Sequence, residues 1–569
     1  MVVAGILYIY RFIYGEAISA LPMNGGAYNV LINTTSKSMA SMAACLAVIS
    51  YIATGVVSAT TAISYLQIFV PVAGLVPCTI GLLLFFACLM VVGISESAGV
   101  ALGMFLVHVL TLTSMGITSA FYAYFNMGTL RENMRQGFPA VAICGTQVQG
   151  SWVTALFFGV SRAMLGVSGF ESSSQFVEEQ ENGVFVKTLR NMQMGVALFN
   201  PGICLLSLCV LETSEIIEHK NAMLATMAKR VGHWIGEEFS LEPSTSIKLG
   251  ELFSLWVSLD AFVVLSGAVL TAYVGITGLM ARMAKDRCLP QMMLAKNKYR
   301  GTYHNIIFGF FLLGSSQVLL LQGDITILAG VYTLSFLGVM TLFTLGTILL
   351  KFKRPSLPRE VTVSYQAAIF GLACVMAAFM GNMLRKPEVL SWWLVYLMVV
   401  GLVIVAVFLR VRVLRIVLRL VSPICPSSVT SGLKDQIQQF QDEPFVFFCK
   451  HPDLYVINKA ILYVKDNEQT NRLWVVHVGE DPESSVVKQL SKHIEVLDAM
   501  YPKIQISLLT VTGSFSPELI DWLASWEYPR TNSSSHASTR SLNTRSKSSG
   551  EFALSPIESS CTEHAACLE

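Results

Sequence analysis

Leu165-Gly-Val-Ser-Gly-Phe-Glu-Ser-Ser-Ser-Gln-Phe-Val-Glu-Glu179 begins as the end of an apolar helix and finishes as a polar, acidic segment. A continuous helix satisfies its own backbone, so Ser168-Gly169 followed by Phe170-Glu171-Ser172 is an unusual sequence to bury in hydrocarbon. Gly169 lowers the cost of unwinding, and Ser168, Ser172 and Ser173 can bond freed backbone groups. Two readings fit these residues. One is an ordinary helix end at the bilayer surface; the other is a break at membrane depth, tolerated only where protein encloses it or it lines a cavity.

Working outward, composition decides the class. The 569 residues are 53% hydrophobic and 13% charged, with a mean hydropathy of +0.58. That is too apolar for a soluble chain of this length and implies a polytopic membrane protein. Twelve cysteines lack paired spacing, and most lie in apolar runs, so they read as small hydrophobes and not as disulfides or metal ligands.

Apolar runs long enough to cross about 30 Å of hydrocarbon occupy residues 1–21, 39–70, 76–93, 99–125, 152–170, 192–211, 252–281, 304–321, 325–350, 364–383 and 391–410, eleven in all. Four basic clusters set the orientation. They are Lys187 and Arg190, then Arg282 to Arg300, then Lys351 to Arg359, and Arg410 to Arg419. Alternating spans put all four on one side, which is therefore the cytoplasm, and place the N-terminus outside. Lys187 and Arg190 on that side leave Ser168 to Ser172 well above it, which favours the break. An outside N-terminus without a preceding signal suggests one absent helix at the front of a twelve-helix protein.

The expected domains are a transmembrane region over 1–421, a Pro/Ser-rich linker over 422–440, a small cytoplasmic α/β domain over 441–529 and a disordered Ser/Thr-rich tail over 530–569. Within 441–529, strand and helix signals alternate: Phe445–Cys449, Leu454–Asp466, Leu473–Val478, Val486–Met500, Ile504–Val511 and Pro517–Trp526. That order implies a small parallel sheet covered by helices. No Gly-rich phosphate loop opens these helices, no catalytic constellation stands out, and neither a cofactor nor a nucleic-acid partner is expected.

Several motifs agree with one family. The 165–179 segment followed by Lys187-Thr-Leu-Arg190 resembles the sixth helix and following loop of amino acid permeases of the amino acid, polyamine and organocation (APC) superfamily. Glu16-Ala-Ile-Ser-Ala-Leu-Pro22 and Gly25-Gly26-Ala27-Tyr28 resemble the end of that family's second helix. Gly93-Ile-Ser-Glu-Ser-Ala98 resembles the turn before its fifth, and Gly278-Leu-Met-Ala-Arg-Met-Ala-Lys-Asp-Arg-Cys-Leu-Pro290 the loop after its eighth.

The resemblance implies an all-α polytopic fold, a LeuT-like inverted five-helix repeat with about 11 of 12 helices present, plus the C-terminal α/β domain. It implies a multi-pass protein of the plasma membrane or an internal membrane, carrying an amino acid or related amine by alternating access, with a proton or sodium ion as coupling ion. The substrate site it implies comprises Ser168, Gly169, Phe170, Glu171 and Ser172, with Phe170 closing over the substrate; the plainer reading of Phe170 is a core or lipid-facing aromatic.

Among charges inside the spans, Arg162 either meets a substrate carboxylate or pairs with Glu16. His108 is either the coupling site or a neutral tie between helices. Glu16 reads as a packing acid and Asp260 as a residue near the outer water, neither with a coupling role. Two other functions stay open: a non-transporting sensor or inactive homologue, because the expected first helix is absent, and a cation-chloride cotransporter.

Overall fold

Hydrocarbon forces each crossing segment to close its own hydrogen bonds, and the long apolar runs do so as helices. The computed structural model describes residues 1–520 and 553–555, except 72, 94–97, 144, 168, 176, 182, 240–241, 423–426, 480–483, 514 and 517–518. It divides into two compact units, Met1–Ile404 and Val405–Glu569.

In the first unit, α1 (Val2–Ala20), α2 (Gly26–Ile32), α3 (Lys37–Leu66), α4 (Leu75–Val92), α5 (Ala98–Phe125) and α6 (Met127–Arg135) lead to a hairpin of β1 (Val141–Ile143) and β2 (Thr146–Val148). Next come α7 (Trp152–Ala163), α8 (Phe170–Ser173), α9 (Val184–Val210), α10 (Thr213–Glu218) and α11 (Met223–Glu238). The unit continues with α12 (Pro243–Lys285), α13 (His304–Leu320), α14 (Ile325–Lys353), α15 (Tyr365–Arg385) and α16 (Pro387–Phe408).

Ten helices among the described residues are long and apolar enough to span a membrane, counting α7 and α8 with their connection as one. The eleventh expected span is α13, which at 17 residues is at the short limit. α3 is the hub, packed by α2, α4, α12, α13 and α14, whereas α5 and α9 expose most of their apolar surface. Hydroxyls inside the spans turn back on their own helices: Thr54, Thr60, Ser64, Thr111 and Thr344 each donate to the carbonyl four residues earlier. That satisfies polar groups where no water competes.

Several boundaries differ from the sequence reading. Lys187 and Arg190, expected in a loop, lie inside α9, whose first turns extend toward the polar side of the run. The expected loops 126–151 and 212–251 contain α6, the hairpin, α10, α11 and the first turns of α12.

In the second unit, α17 (Arg410–Val421) and α18 (Ser427–Asp442) precede β3 (Phe445–Phe448), α19 (Leu454–Asn467), β4 (Arg472–Gly479), α20 (Ser485–Met500), β5 (Gln505–Thr512) and β6 (Ala553–Ser555). α18 occupies much of what the Pro/Ser content predicted as linker. β3, β4 and β5 are parallel, and β6 adds to β5 antiparallel. β6 falls in the tail expected to be disordered; Ala553-Leu-Ser555 is one of its few apolar stretches, and an open sheet edge accepts it. The expected helix at 517–526 lies largely outside the described residues.

Alternate residues of the sheet enter two cores. Phe447, Leu473, Val475 and Leu508 face α19 and α20 with Ile457, Ile461 and Leu490, while Val446, Trp474, Val476 and Leu509 pack together on the other face. A parallel strand buried on both sides is near-continuously apolar, as Leu473-Trp-Val-Val476 is. Cys449 extends from β3, donating to the His451 carbonyl at 2.9 Å, and burial pushes its thiol above the usual range. In the native chain at mildly alkaline pH, Cys449 is therefore expected to resist maleimide until denaturant is added. Labelling followed by peptide mass spectrometry checks this, and prompt native labelling at Cys449 counts against it.

Candidate functional site

The opening stretch is broken. α7 ends at Ala163, one turn of 3-10 helix covers Met164–Val167, and α8 begins at Phe170 after Gly169, whose φ of 120° is in the region that favours glycine. A Cβ on Gly169 would also meet Met192 Cε at 2.7 Å, the far end of a flexible side chain, so it is the backbone conformation that demands glycine. α8 lasts four residues. The Ser173 hydroxyl donates to the Phe170 carbonyl at 2.9 Å and the Ser174 hydroxyl to the Glu171 carbonyl at 2.6 Å, capping the short helix.

Around this break sits a buried polar group. Glu171 is 5% exposed and, among the described residues, its Oε1 has no hydrogen-bond partner, nor has the Tyr14 hydroxyl from α1. Tyr14 and Tyr51 both lie within electrostatic reach of the carboxyl. The Tyr14 ring stacks on Phe343 at 4.0 Å and meets Phe170 edge-on at 6.1 Å, so Phe170 closes one wall. A carboxyl oxygen and a phenol without partners in an aromatic enclosure suit a small cation or an ammonium, since burying such groups unpaired is costly.

The end of the break is anchored. Gly26, at φ 46°, lets α2 approach so closely that a Cβ there would lie 2.6 Å from Ser174 Oγ and 2.7 Å from Gln175 Nε2. The Asn24 N–H donates to Glu178 Oε1 and the Glu178 N–H to Asn24 Oδ1, each at 3.1 Å. The Tyr28 hydroxyl donates to Asp286 Oδ2 at 2.8 Å, and burial, with Cys288 and Asp286 beside it, holds that hydroxyl protonated well above its ordinary range. A cavity of about 400 Å³ lies beyond the break and not at Glu171, lined by Pro22, Glu178, Gln180, Glu181, Phe185 and Glu360 among others.

Of the expected site residues, Gly169, Phe170 and Glu171 converge here; Ser172 is half-buried beside them and Ser168 lies outside the described residues. Arg162 does not join them. It is exposed on the last turn of α7 and does not pair with Glu16, which takes Lys351 Nζ at 3.2 Å and Arg359 Nε at 3.1 Å instead.

His108 has a partner that sequence reasoning passed over. Its Nδ1 is 2.8 Å from Asp260 Oδ2, and the Asp260 side chain is 6% exposed, so Asp260 is buried against α5. The Trp256 indole donates to Thr111 Oγ1 at 3.0 Å one turn away, and Gly267 admits Met104, fixing the antiparallel register of α5 and α12. No sequence spacing could have joined residues 152 positions apart; the one available signal was that both are titratable and both lie inside apolar spans.

A bundle of apolar helices long enough to cross a membrane, one of them interrupted at glycine beside a buried carboxyl, marks a multi-pass membrane protein. The family model described as amino acid permease matches residues 1–408, and the chain belongs to that family, within the APC superfamily. It is a membrane transporter of amino acids, embedded in a lipid bilayer and acting on a small molecule. No curated protein matches the chain.

Proposed function

We propose that the chain is a proton-coupled secondary transporter that moves an amino acid or related amine by alternating access, with the substrate ammonium taken by Glu171. The observation that carries this is the unpartnered Glu171 Oε1, held at the break against Tyr14 and Phe170. The Gly169 and Phe170 carbonyls already accept from Ser173 and Ser174, which leaves the carboxyl as the strongest acceptor for a cation. Phe170 is the gate, and Ser172 flanks the substrate.

His108 and Asp260 are the coupling pair: they are titratable groups 2.8 Å apart that meet between two apolar spans, α5 and α12. The basic clusters support a cytoplasmic C-terminus and a cytoplasmic α/β domain over 441–529, and the motif order supports an inverted five-helix repeat. The Arg359 and Lys351 pairing with Glu16 braces the proposed cytoplasmic end.

Uptake of labelled amino acids into proteoliposomes tests the reading. Saturable uptake driven by an inward proton gradient is expected. E171Q should lower apparent affinity at least about tenfold, as expected for loss of one charge-assisted contact. H108Q and D260N should flatten the pH dependence of uptake. Uptake indifferent to pH but driven by sodium removes the proton assignment, and full activity in E171Q removes Glu171 from the site.

A further inference from the structure

The helix α17 begins with Arg410, two residues after α16 ends at Phe408, so its start is tied by the chain to the end of a membrane span. Its surface divides into three sectors. Val411 is buried and Leu414 and Leu418 are half-buried on the covered side, where α18 packs and the Arg410 guanidinium lies 4.2 Å from the centre of the Phe440 ring.

The second sector carries Arg412, Arg415 and Arg419, all exposed, and none is paired with a carboxylate among the described residues. Beside it, Val413, Ile416, Val417 and Leu420 are 38%, 55%, 37% and 65% exposed. Two adjoining stripes on one helix, one cationic and one apolar, form the pattern of a helix lying in a membrane interface. A second copy of the same face would bring guanidinium groups together, whereas anionic headgroups complement them while acyl chains take the apolar stripe.

We infer that α17 lies on the bilayer surface and binds anionic phospholipid through Arg412, Arg415 and Arg419. The site is separate from Glu171 and needs no transport to operate. Only the choice of leaflet rests on the proposed cytoplasmic C-terminus.

Hydrogen exchange of the full chain, held as one copy per lipid nanodisc, tests this. In discs containing phosphatidylserine, amides of residues 410–421 should exchange at least about tenfold more slowly than in phosphatidylcholine alone. High salt should shrink the difference. The triple variant R412Q/R415Q/R419Q should abolish it, and I416E/L420E, which keeps the arginines, should weaken protection in both lipids. Equal exchange in the two lipids overturns the proposal, as does protection that ignores lipid charge and appears only with two copies per disc, which would make this face an interface between copies.

Discussion

Replacing Glu16 by alanine is expected to destabilise the membrane unit by about 3 kcal/mol, the lower end of the usual cost of removing one partner from a buried ion pair. The side chain is 1% exposed in α1 and is the meeting point of Lys351 Nζ, Arg359 Nε and the Val363 N–H, which donates to Oε2 at 2.6 Å. Without it two cations from α14 and the following segment lose their counter-ion. The lower end applies because neither cation is left without hydrogen bonds. Arg359 also donates to the carbonyls of Arg354, Pro355 and Leu357, and Lys351 to that of Val363. Glu16→Gln keeps an acceptor and should fall between the parent and E16A. Thermal unfolding in detergent, followed by tryptophan fluorescence, gives the order parent, E16Q, E16A. Indistinguishable midpoints would mean the charges are already solvated.

Gly169→Ala should abolish most transport with the bundle still folded. Two effects add: a φ of 120° is strained for any residue with a Cβ, at about 1–3 kcal/mol, and the new methyl meets Met192 Cε at 2.7 Å. The sulfur-bearing end of Met192 can swing aside, so strain dominates over clash. If the strain is felt only while the break is formed, the population able to bind substrate falls roughly five- to 150-fold. G169A/M192A separates the terms, because removing the neighbour relieves the clash and leaves the backbone strained. Uptake should stay low in the double variant; recovery would show that crowding, and not conformation, selects glycine.

The break was legible because it is local: Gly169, with serines after it and a carboxylate within two residues, announces an interrupted helix in one stretch of chain. Apolar length likewise gave the spans, to within a turn or two at most ends. What surrounds the break was not legible. Tyr14 and Tyr51 reach Glu171 from α1 and α3, Phe343 of α14 stacks on Tyr14, and nothing in their own neighbourhoods distinguishes them from other aromatics in apolar helices. The same holds for Asp260, whose meaning appears only when His108 arrives from another helix. Arg162 lies close in sequence to the break, yet it is exposed on the last turn of α7 while Glu16 takes its cations from Lys351 and Arg359. Composition also overreached at Ala553–Ser555, where backbone pairing with β5 needs little from the side chains.

α12 runs 43 residues without interruption, about 65 Å at helical rise, roughly twice the hydrocarbon thickness. Its first turns are zipped to α11, where a Cβ on Gly236 would lie 2.6 Å from Ser246 Cα and one on Gly250 would lie 2.6 Å from the Lys229 carbonyl oxygen. Backbones that close leave little freedom to hinge, so the hairpin and the span are a single push-rod. Asp260 sits on that rod. An antibody fragment gripping the α11–α12 hairpin would therefore pull on the His108 pair mechanically, making the projecting end a handle for force measurements and a rigid fiducial for imaging.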